Sequence, residues 1–174
     1  IAEIETEINK LSDLIIEYNR IIKNISHFDE IEFLNTLENN FKIESLVNHQ
    51  APNSKEELSI YFNKKWYLIK VKSEKIFGDF KSHLNSQIVS DLILKDIFKI
   101  NHSDSYKNIE YIKGNQPLSF LVNRVNLLGD SIGIQLYPHV IEEITSMADM
   151  GENMPAKSTW IEPKLRSGLT IYEY

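Results

Sequence analysis

Hydrophobic residues recur along the chain at spacings that predict short helices and strands. The first set is spaced at steps of four and three residues and comprises Ile4, Ile8, Leu11 and Ile15. This spacing predicts an amphipathic N-terminal helix within residues 1–25, followed by an Asn-Arg segment. A second helix is predicted to begin at Asp29, whose side chain can accept from the amide near Glu32 in a capping box. The expected apolar face of that helix comprises Ile31, Leu34, Leu37 and Phe41.

Alternating β-rich runs fill the next part of the sequence. FKIESL and a polar turn precede LSIYFNKKWYLIKVK, which is split at Asn63 to Lys65 and therefore predicts a hairpin at residues 57–72. We interpret its large aromatic residues as packing on a half-buried sheet rather than stacking on a ligand. They are Tyr61, Trp66 and Tyr67. Further strands are predicted at IEYIKG and SIGIQLYP.

The second half of the chain carries three more helical patterns. One begins at Asn85, and another begins at Pro117 and ends at Gly129, which suits a left-handed cap. In the last, the residues expected to face inward are Ile141, Ile144 and Ala148, with Gly151 closing the helix. The order of elements predicts a single α+β domain over residues 1–174: a mixed sheet with a β-hairpin, covered mainly on one face by several amphipathic helices. The predicted hairpin and the strand at 131–136 should pack against the helices at 117–128 and 139–150.

Composition narrows the class of protein. The chain has 174 residues, of which 42% are hydrophobic and 25% charged, and its net charge is -6. No apolar run approaches the roughly 18 residues of a membrane span, and the acidic balance argues against DNA binding through many phosphate contacts. Small anions are better candidate ligands. The absence of cysteine fits the cytoplasm, and a start at Ile1 without a signal peptide suggests a cut piece.

Familiar catalytic motifs do not occur in the sequence. It has no P-loop, no dinucleotide fingerprint, no nucleophile elbow and no paired histidines at metal-ligand spacing. Its five scattered histidines are interpreted as surface or capping residues, and no metal site is predicted. They are His27, His49, His83, His102 and His139. Catalytic residues are therefore not identified from motifs.

Two stretches carry candidate anion-binding chemistry. MPAKSTWIEPKLRSGL, residues 154–169, is predicted to be a rigid irregular loop, stiffened by two prolines, that presents cations and hydroxyls to anionic oxygens. Its candidate ligand-binding residues are Lys157, Ser158, Thr159, Lys164 and Arg166. The alternative is a C-terminal strap, with Trp160 and Leu169 docked on the core and the charges facing water. In EYNRIIKN, Arg20 offers a planar fork to phosphate or carboxylate, and the alternative is a solvated cationic face.

Several motifs together resemble a known family. They are the helix, Gly-Glu-x-Met-Pro turn and Lys-Ser-Thr-Trp tail in the stretch from Leu136, with YNRIIKN, SQIVSDLILKDIF and Lys113-Gly114. The sequence resembles the C-terminal part of the bacterial and archaeal family called domain of unknown function 1015. The resemblance runs from about Leu14 onward and is weakest over 42–84. It implies that the chain is the C-terminal fragment of a longer family protein.

Three departures from the family pattern affect what the resemblance implies. Ala156 replaces a usual second proline, and Asn115 replaces a common glycine, which argues against a backbone cradle at 113–116. The upstream Ala-Asp-Gly-His-His-Arg motif of family members does not occur in the chain. That motif is similar to one in free-serine kinases related to the chromosome-partitioning-protein-B and sulfiredoxin fold. The resemblance thus implies phosphoryl transfer from ATP or ADP, with Mg, to a small amino acid such as L-serine in the full-length protein.

Three functional classes follow. The first, which we favour, is the C-terminal domain of a small-molecule kinase that contacts a phosphorylated ligand or nucleotide. The second is a noncatalytic ligand-sensing or partner-binding domain, and the third is a structural module that caps the protein's own upstream domain. The isolated chain is predicted to lack kinase activity and to hold no cofactor, because it lacks the upstream motif and no general base stands in a recognisable setting.

Overall fold

A computed structural model describes residues 15–25, 29–100 and 105–161. Its strands are β1 (Ile15–Lys23), β2 (Phe41–Leu46), β3 (Glu57–Phe62), β4 (Lys65–Val71), β5 (Ile109–Lys113), β6 (Ser131–Leu136) and β7 (Thr159–Ile161). Its α-helices are α1 (Glu30–Leu37), α2 (Asn85–Ile88), α3 (Ser105–Asn108), α4 (Leu118–Leu128) and α5 (Ile141–Asp149). α2 continues directly into a π-helix (Val89–Lys95), and short 3-10 helices cover Ser73–Lys75 and Phe80–His83. No helix in these ranges is long and apolar enough to cross a bilayer.

One seven-stranded sheet organises the domain and confirms the α+β class. The strand order is β2-β4-β3-β6-β1-β5, and β7 also pairs with β1. The described pairs are all antiparallel, so the expectation of a mixed sheet was wrong. β5 and β6, connected through α4, do run in the same direction, as the alternation of strand and helix predicts. β1 lies between them and runs the opposite way, so they never pair.

The β3–β4 hairpin is confirmed, and its turn explains its register. Asn63 and Lys64 both have positive φ, at 50° and 61°. Positive φ at both central residues defines the tight turn whose twist matches that of the flanking strands. The pairing of Phe62 with Lys65 follows directly from this two-residue connection.

The two faces of the sheet are covered unequally, as predicted. The larger core lies on the face covered by α1, α2 and the π-helix, and includes Ile22, Phe33, Leu37, Ile69, Val89 and Ile93. The smaller core lies beneath α4 and comprises Ile21, Tyr61, Ile112, Leu121 and Val125. α4 approaches the sheet closely at Gly133, where an added Cβ would lie 2.3 Å from a methyl carbon of Leu121. A side chain at this position would displace the side chains of Leu121 and Val125 beneath α4.

Some predicted helix faces were wrong, and tertiary contacts give the reason. α1 begins after Asp29, whose side chain accepts from the amide of Glu32 as expected, but Ile31 is 72% exposed. The helix ends at Leu37 because Phe41 belongs to β2, so its buried residues are Phe33 and Leu37. Ile15 likewise belongs to β1 and not to a helix. The remainder of the predicted N-terminal helix lies outside the described residues.

Candidate functional site

β1 is the strand on which the candidate site is built. It pairs with β6 through Arg20 to Lys23 and with β7 through Ile15 to Glu17. Tyr18 and Asn19 therefore lie between the two pairings. Successive side chains of a strand point to opposite faces of a sheet. Tyr18 and Arg20 accordingly share one face and Asn19 lies on the other, while the carboxyl group of Glu17 lies against His139. One cavity lies near Arg20 and another lies near Asn19.

The first cavity, which we call the cationic cavity, lies between the π-helix and the loop at residues 153–156. Its volume is about 340 Å³. Its lining residues are Lys81, Gln87, Ser90, Asp91, Leu94, Lys95, Ile100, Tyr111, Asn153, Met154, Pro155 and Ala156. π-helical turns are rare and occur frequently at functional sites. Here the turn carries Ser90, Asp91 and Lys95 to the cavity while Ile93 stays in the core.

Arg20 lies directly behind the wall of this cavity. The residue is 1% exposed, so the interpretation as a solvated cationic face was wrong. Its Nη1 donates to Ser90 Oγ at 3.3 Å, and its Cζ lies 5.8 Å from the centre of the Tyr111 ring. Arg20 Nε is buried and has no hydrogen-bond partner among the described residues. Burial lowers the pKa of Arg20 below its usual value.

Aromatic rings and cations alternate beside Arg20. The ring of Tyr18 meets those of Tyr111 and Trp160 edge to face, with centroids 6.1 Å and 6.0 Å apart. Lys113 Nζ lies 3.9 Å from the centre of the Trp160 ring, and Lys157 Nζ lies 5.8 Å from that of Tyr18. These contacts hold two ammonium groups on the same side of β1 as the guanidinium of Arg20.

The C-terminal tail contributes differently from what its composition predicted. Thr159 begins β7 and pairs with Glu17, so this part of the tail is not irregular. Lys157 is exposed, with φ of 54°, whereas Ser158 is buried and its Oγ has no partner among the described residues. Trp160 docks on Tyr18, as the strap alternative requires. Lys164 and Arg166, like Leu169, lie outside the described residues.

A buried polar network extends from Arg20 to the start of α5. Ser90 Oγ donates to the backbone oxygen of Ser86 at 2.8 Å. Ser86 Oγ lies 3.1 Å from His139 Nε2, and His139 Nδ1 lies 2.6 Å from Glu143 Oε2. Glu143 in turn lies 3.8 Å from Lys55 Nζ. The network joins the π-helix to the loop that follows β6.

His139 and Glu143 are residues that sequence reasoning missed. Both are buried, so the surface or capping interpretation was wrong for His139. α5 turns Glu143 and Met147 inward and leaves Ala148 exposed, contrary to the predicted face, because Glu143 binds His139. Their spacing of four residues at a helix start is the signal that could have indicated the pair. Of the other histidines, His49 binds Gln135, His83 is exposed, and His27 and His102 lie outside the described residues.

The chemistry open to this network is limited by its burial. Ser86, His139 and Glu143 follow the order of a hydrolytic triad, but Ser86 is 0% exposed and lines neither cavity. His139 also faces two carboxylates through different ring nitrogens, with Glu17 Oε2 at 3.6 Å from Nε2. The two carboxylates thus lie on opposite sides of the ring. Within the described ranges, no three potential ligands converge on one metal ion.

The second cavity, which we call the acidic cavity, lies on the opposite face of β1. Its volume is about 380 Å³ and its lining includes Glu17 and Asn19. Glu17 is 3% exposed; its Oε1 accepts from the amide of Tyr18 at 3.2 Å, and its Oε2 has no hydrogen-bond partner among the described residues. Burial raises the pKa of Glu17 to about 8, against an opposing effect of the positive charge of Arg20.

Gly114 closes one side of the acidic cavity. Its amide donates to the backbone oxygen of Glu17 at 2.7 Å, and an added Cβ would lie 2.7 Å from that same oxygen. Any side chain here would push β1 away from the turn after β5. Because the amide is already used, it does not serve the backbone cradle considered for residues 113–116.

Comparisons with known proteins confirm the family resemblance. The profile of DUF1015, described as a protein of unknown function, matches residues 6–95, just over half of the 174-residue chain. Among solved structures, the chain is similar to a free serine kinase in complex with AMP, at 15% sequence identity and a TM-score of 0.45. That similarity covers 84% of this chain and 52% of the kinase, so the chain spans about half of its length. No curated protein matches the chain.

Proposed function

We propose that this chain, which belongs to the DUF1015 family, is the part of a small-molecule phosphotransferase that binds phosphate groups, and that the cationic cavity is the binding site. The phosphate-bearing ligand we propose is a nucleotide, ATP or ADP. The acceptor we propose is a free amino acid such as L-serine, on the strength of the motif resemblance described above.

The observation that carries this proposal is the buried guanidinium of Arg20. Among the described residues, no carboxylate lies within ion-pair distance of it, and its Nε lacks any hydrogen-bond partner. A buried charge is costly unless it is paired and hydrogen-bonded. Arg20 contacts Ser90 and Tyr111, which both line the cavity, so a phosphate bound there would bring negative charge to the guanidinium.

Other charges of the cationic cavity support an anionic ligand. Lys81 and Lys95 line it, and the ion-pair partner that Lys81 has among the described residues is distant, with Nζ 4.0 Å from a carboxylate oxygen of Glu152. Among the described lining residues Asp91 is the one acidic residue, and it accepts a hydrogen bond from Gln87. Cavities that bind small ligands typically start at about 300 Å³, so the volume of about 340 Å³ is sufficient for phosphate groups.

These groups would provide the positioning and positive charge that a protein contributes to phosphoryl transfer. The reaction depends mainly on positioning the transferred group and on stabilising its charge, rather than on covalent chemistry. Arg20, Ser90 and the lysines would supply positioning and positive charge. The remaining chemistry is expected from the upstream motif that family members carry.

The test compares two arginines of the same chain. In the natural full-length protein, Arg20→Met should weaken the binding of ATP, ADP and inorganic phosphate by about ten- to hundredfold, because the positive charge directly behind the cavity wall is lost and charges a few ångströms apart in a protein interact by roughly 2–4 kcal/mol. Arg124→Met is the matched control, since Arg124 lies on α4 and pairs with Glu110 at 2.9 Å. Affinities would be measured by isothermal titration calorimetry.

Unchanged phosphate binding by the Arg20→Met variant would refute the proposal. A second assay then addresses transfer: the full-length protein is incubated with ATP or ADP, Mg and a panel of amino acids, and phosphorylated products are detected by mass spectrometry. Arg20-dependent binding without transfer to any amino acid would favour the noncatalytic ligand-sensing domain. Residues 1–174 alone are expected to give no product.

A further inference from the structure

A buried carboxyl group, that of Glu17, lies near the guanidinium of Arg20. Glu17 is 3% exposed, and its Oε2 lies 3.6 Å from His139 Nε2. The same ring nitrogen is 3.1 Å from Ser86 Oγ. Ser90, which accepts from Arg20 Nη1, follows Ser86 by four residues and donates to its backbone oxygen. Four residues of a helix span only about 6 Å, so Glu17 and Arg20 reach the same helical turn from β1.

The charge of Arg20 can be balanced from two directions. Among the described residues, no carboxylate lies within ion-pair distance of it. A phosphate group in the cationic cavity would bring negative charge through the cavity wall, and an ionised Glu17 would bring it from the His139 side. Either charge lowers the cost of the buried guanidinium, and the two negative charges repel each other. Each should therefore weaken the other.

Other ionisable groups surround Glu17 as well. His139 bonds through Nδ1 to Glu143 Oε2 at 2.6 Å, and Glu143 lies 3.8 Å from Lys55 Nζ. β6 and β7 carry no titratable side chain, whereas β5, the π-helix and the segment before β7 carry Glu110, Tyr111, Lys113, Asp91, Lys95 and Lys157. Because Glu143 already pairs with a cation, Glu17 is the acid of the buried network whose charge can respond to Arg20.

We propose that Glu17 competes with the ligand from inside the protein: binding of a phosphate group in the cationic cavity and ionisation of Glu17 oppose each other through Arg20. This inference rests on the proposed function, since it concerns the regulation of the same cavity. Burial raises the pKa of Glu17 to about 8, and the positive charge of Arg20 is the strongest effect that opposes the rise. The carboxyl group is thus mostly neutral at pH 7 and mostly ionised at pH 9. Affinity for phosphate should fall as the pH rises through 8, and binding near pH 8 should take up protons.

Calorimetric titration of the natural full-length protein at pH 7, 8 and 9 tests this competition. The ligands are ATP and inorganic sulfate, a stand-in for phosphate whose own charge is constant over this range. We expect the affinity to fall about three- to tenfold between pH 7 and 9, as for two charges roughly 10 Å apart that are partly screened. Repeating the pH 8 titration in two buffers that differ in their enthalpy of ionisation measures the proton uptake, which should be a fraction of one proton per ligand.

Three variants identify the group responsible. Glu17→Gln, which cannot ionise, should bind both ligands with an affinity that no longer falls with pH, and should take up no proton. Glu143→Gln should retain the fall but shift it to lower pH, because the negative charge of Glu143 raises the pKa of Glu17. Glu44→Gln, at an exposed residue of β2, is the control and should match the parent.

The outcomes separate this inference from the proposed function. A parent affinity that stays constant from pH 7 to 9 would overturn the inference and leave the proposed function standing. So would an equal fall in the Glu17→Gln variant, or loss of the fall in the Glu143→Gln variant alone. Absence of ATP, phosphate and sulfate binding at every pH would instead overturn the proposed function, and this inference with it.

Discussion

Arg20 and Glu17 lie three residues apart on β1, and both are buried next to a cavity, yet burial affects their charges differently. Arginine stays protonated at any pH a protein meets, so Arg20 keeps its charge in the core and needs an anion. Glutamate can take up a proton, and burial raises the pKa of Glu17 to about 8. Under the proposed function, Arg20 is therefore the group whose charge an anionic ligand would balance, whereas Glu17 can remain buried as a neutral carboxylic acid.

The comparison shows that an unpaired buried charge has two distinct outcomes. For a group that cannot neutralise, the cost is lowered by a ligand. For a group that can neutralise, the cost appears as pH-dependent stability. Ligand-dependent stabilisation and pH-dependent stability can be measured separately, and variants of the residues on the two sides of β1 distinguish them.

The largest expected effect is the pH dependence caused by Glu17. Its pKa rises from 4.5 to about 8 on folding, so its contribution is most favourable below pH 4.5 and is lost as the pH rises toward 8. The shift corresponds to an upper bound on the order of 4–5 kcal/mol at one unit per 1.36 kcal/mol. Urea unfolding of the parent and the Glu17→Gln variant between pH 4.5 and 8.5 measures it. A stability difference that does not change with pH would contradict the burial argument.

A smaller loss of unfolding free energy is expected when Trp160, which lies on the same side of β1 as Arg20, is truncated. Trp160→Ala removes the edge-to-face contact with Tyr18 and the surface on which Lys113 packs. Since the ring is only half-buried, we expect a loss of about 2–3 kcal/mol, below the 3–5 kcal/mol of a core aromatic residue. Phe77→Ala, at a residue 75% exposed, is the control and should cost less than about 0.5 kcal/mol. Equal losses in both variants would mean that β7 does not depend on this packing.

Replacing Arg20 itself should not destabilise the free protein. Arg20→Met removes a buried charge and keeps a long apolar side chain, so the free energy of unfolding should stay level or rise by about 1–2 kcal/mol. Thermal unfolding without and with ATP measures both the stability of the free protein and the stabilisation by ligand. Without ATP, the unfolding temperature of the variant should match or exceed that of the parent. With ATP, the variant should lack the stabilisation that the parent gains. A variant that is markedly less stable without ligand would assign Arg20 a structural role.

The smallest effect concerns Lys157, whose φ of 54° lies in the left-handed region. Lys157→Gly relieves this strain and should stabilise the protein by about 0.5 kcal/mol, whereas Lys157→Ala keeps the strain and should not. Both variants remove the ammonium group near Tyr18, so both should weaken phosphate binding. If only the alanine variant binds phosphate more weakly, backbone geometry matters and the charge does not.

Local signals made parts of this fold predictable. The hairpin depended on Asn63 and Lys64, and α4 runs from Leu118 to Leu128 between the predicted start at Pro117 and stop at Gly129. Each of these signals acts within a few residues of the chain, so spacing and turn chemistry alone can reveal it. The packing of β3 and β6 against α4 follows from the same elements.

The candidate site could not be predicted in the same way, because its environment is assembled from distant residues. The burial of Arg20 depends on Ser90 and Tyr111, which lie far along the chain. The inward face of α5 is decided by the bond between Glu143 and His139, and hydrophobic spacing assigns that face to other residues. The π-helix could not be predicted either, because its residues do not follow the period of 3.6 residues by which α-helices are recognised. Of the candidate tail residues, Lys157 lies with its ammonium group near the ring of Tyr18, beside the candidate site. Its role in ligand binding remains a prediction.

The position of the β1 partners in the sequence determines when this strand can pair during synthesis. β3 and β4 can pair as soon as they leave the ribosome, because two residues connect them. In the part of the chain that the structure describes, β1 pairs with β5, β6 and β7, the first of which begins at Ile109. At a synthesis rate of roughly 5–20 residues per second, the strand that carries Glu17 and Arg20 waits several seconds for any neighbour. Until then its backbone amides and carbonyls lack these β-sheet partners, so β1 leaves the ribosome as an unpaired strand to which a nascent-chain chaperone can bind.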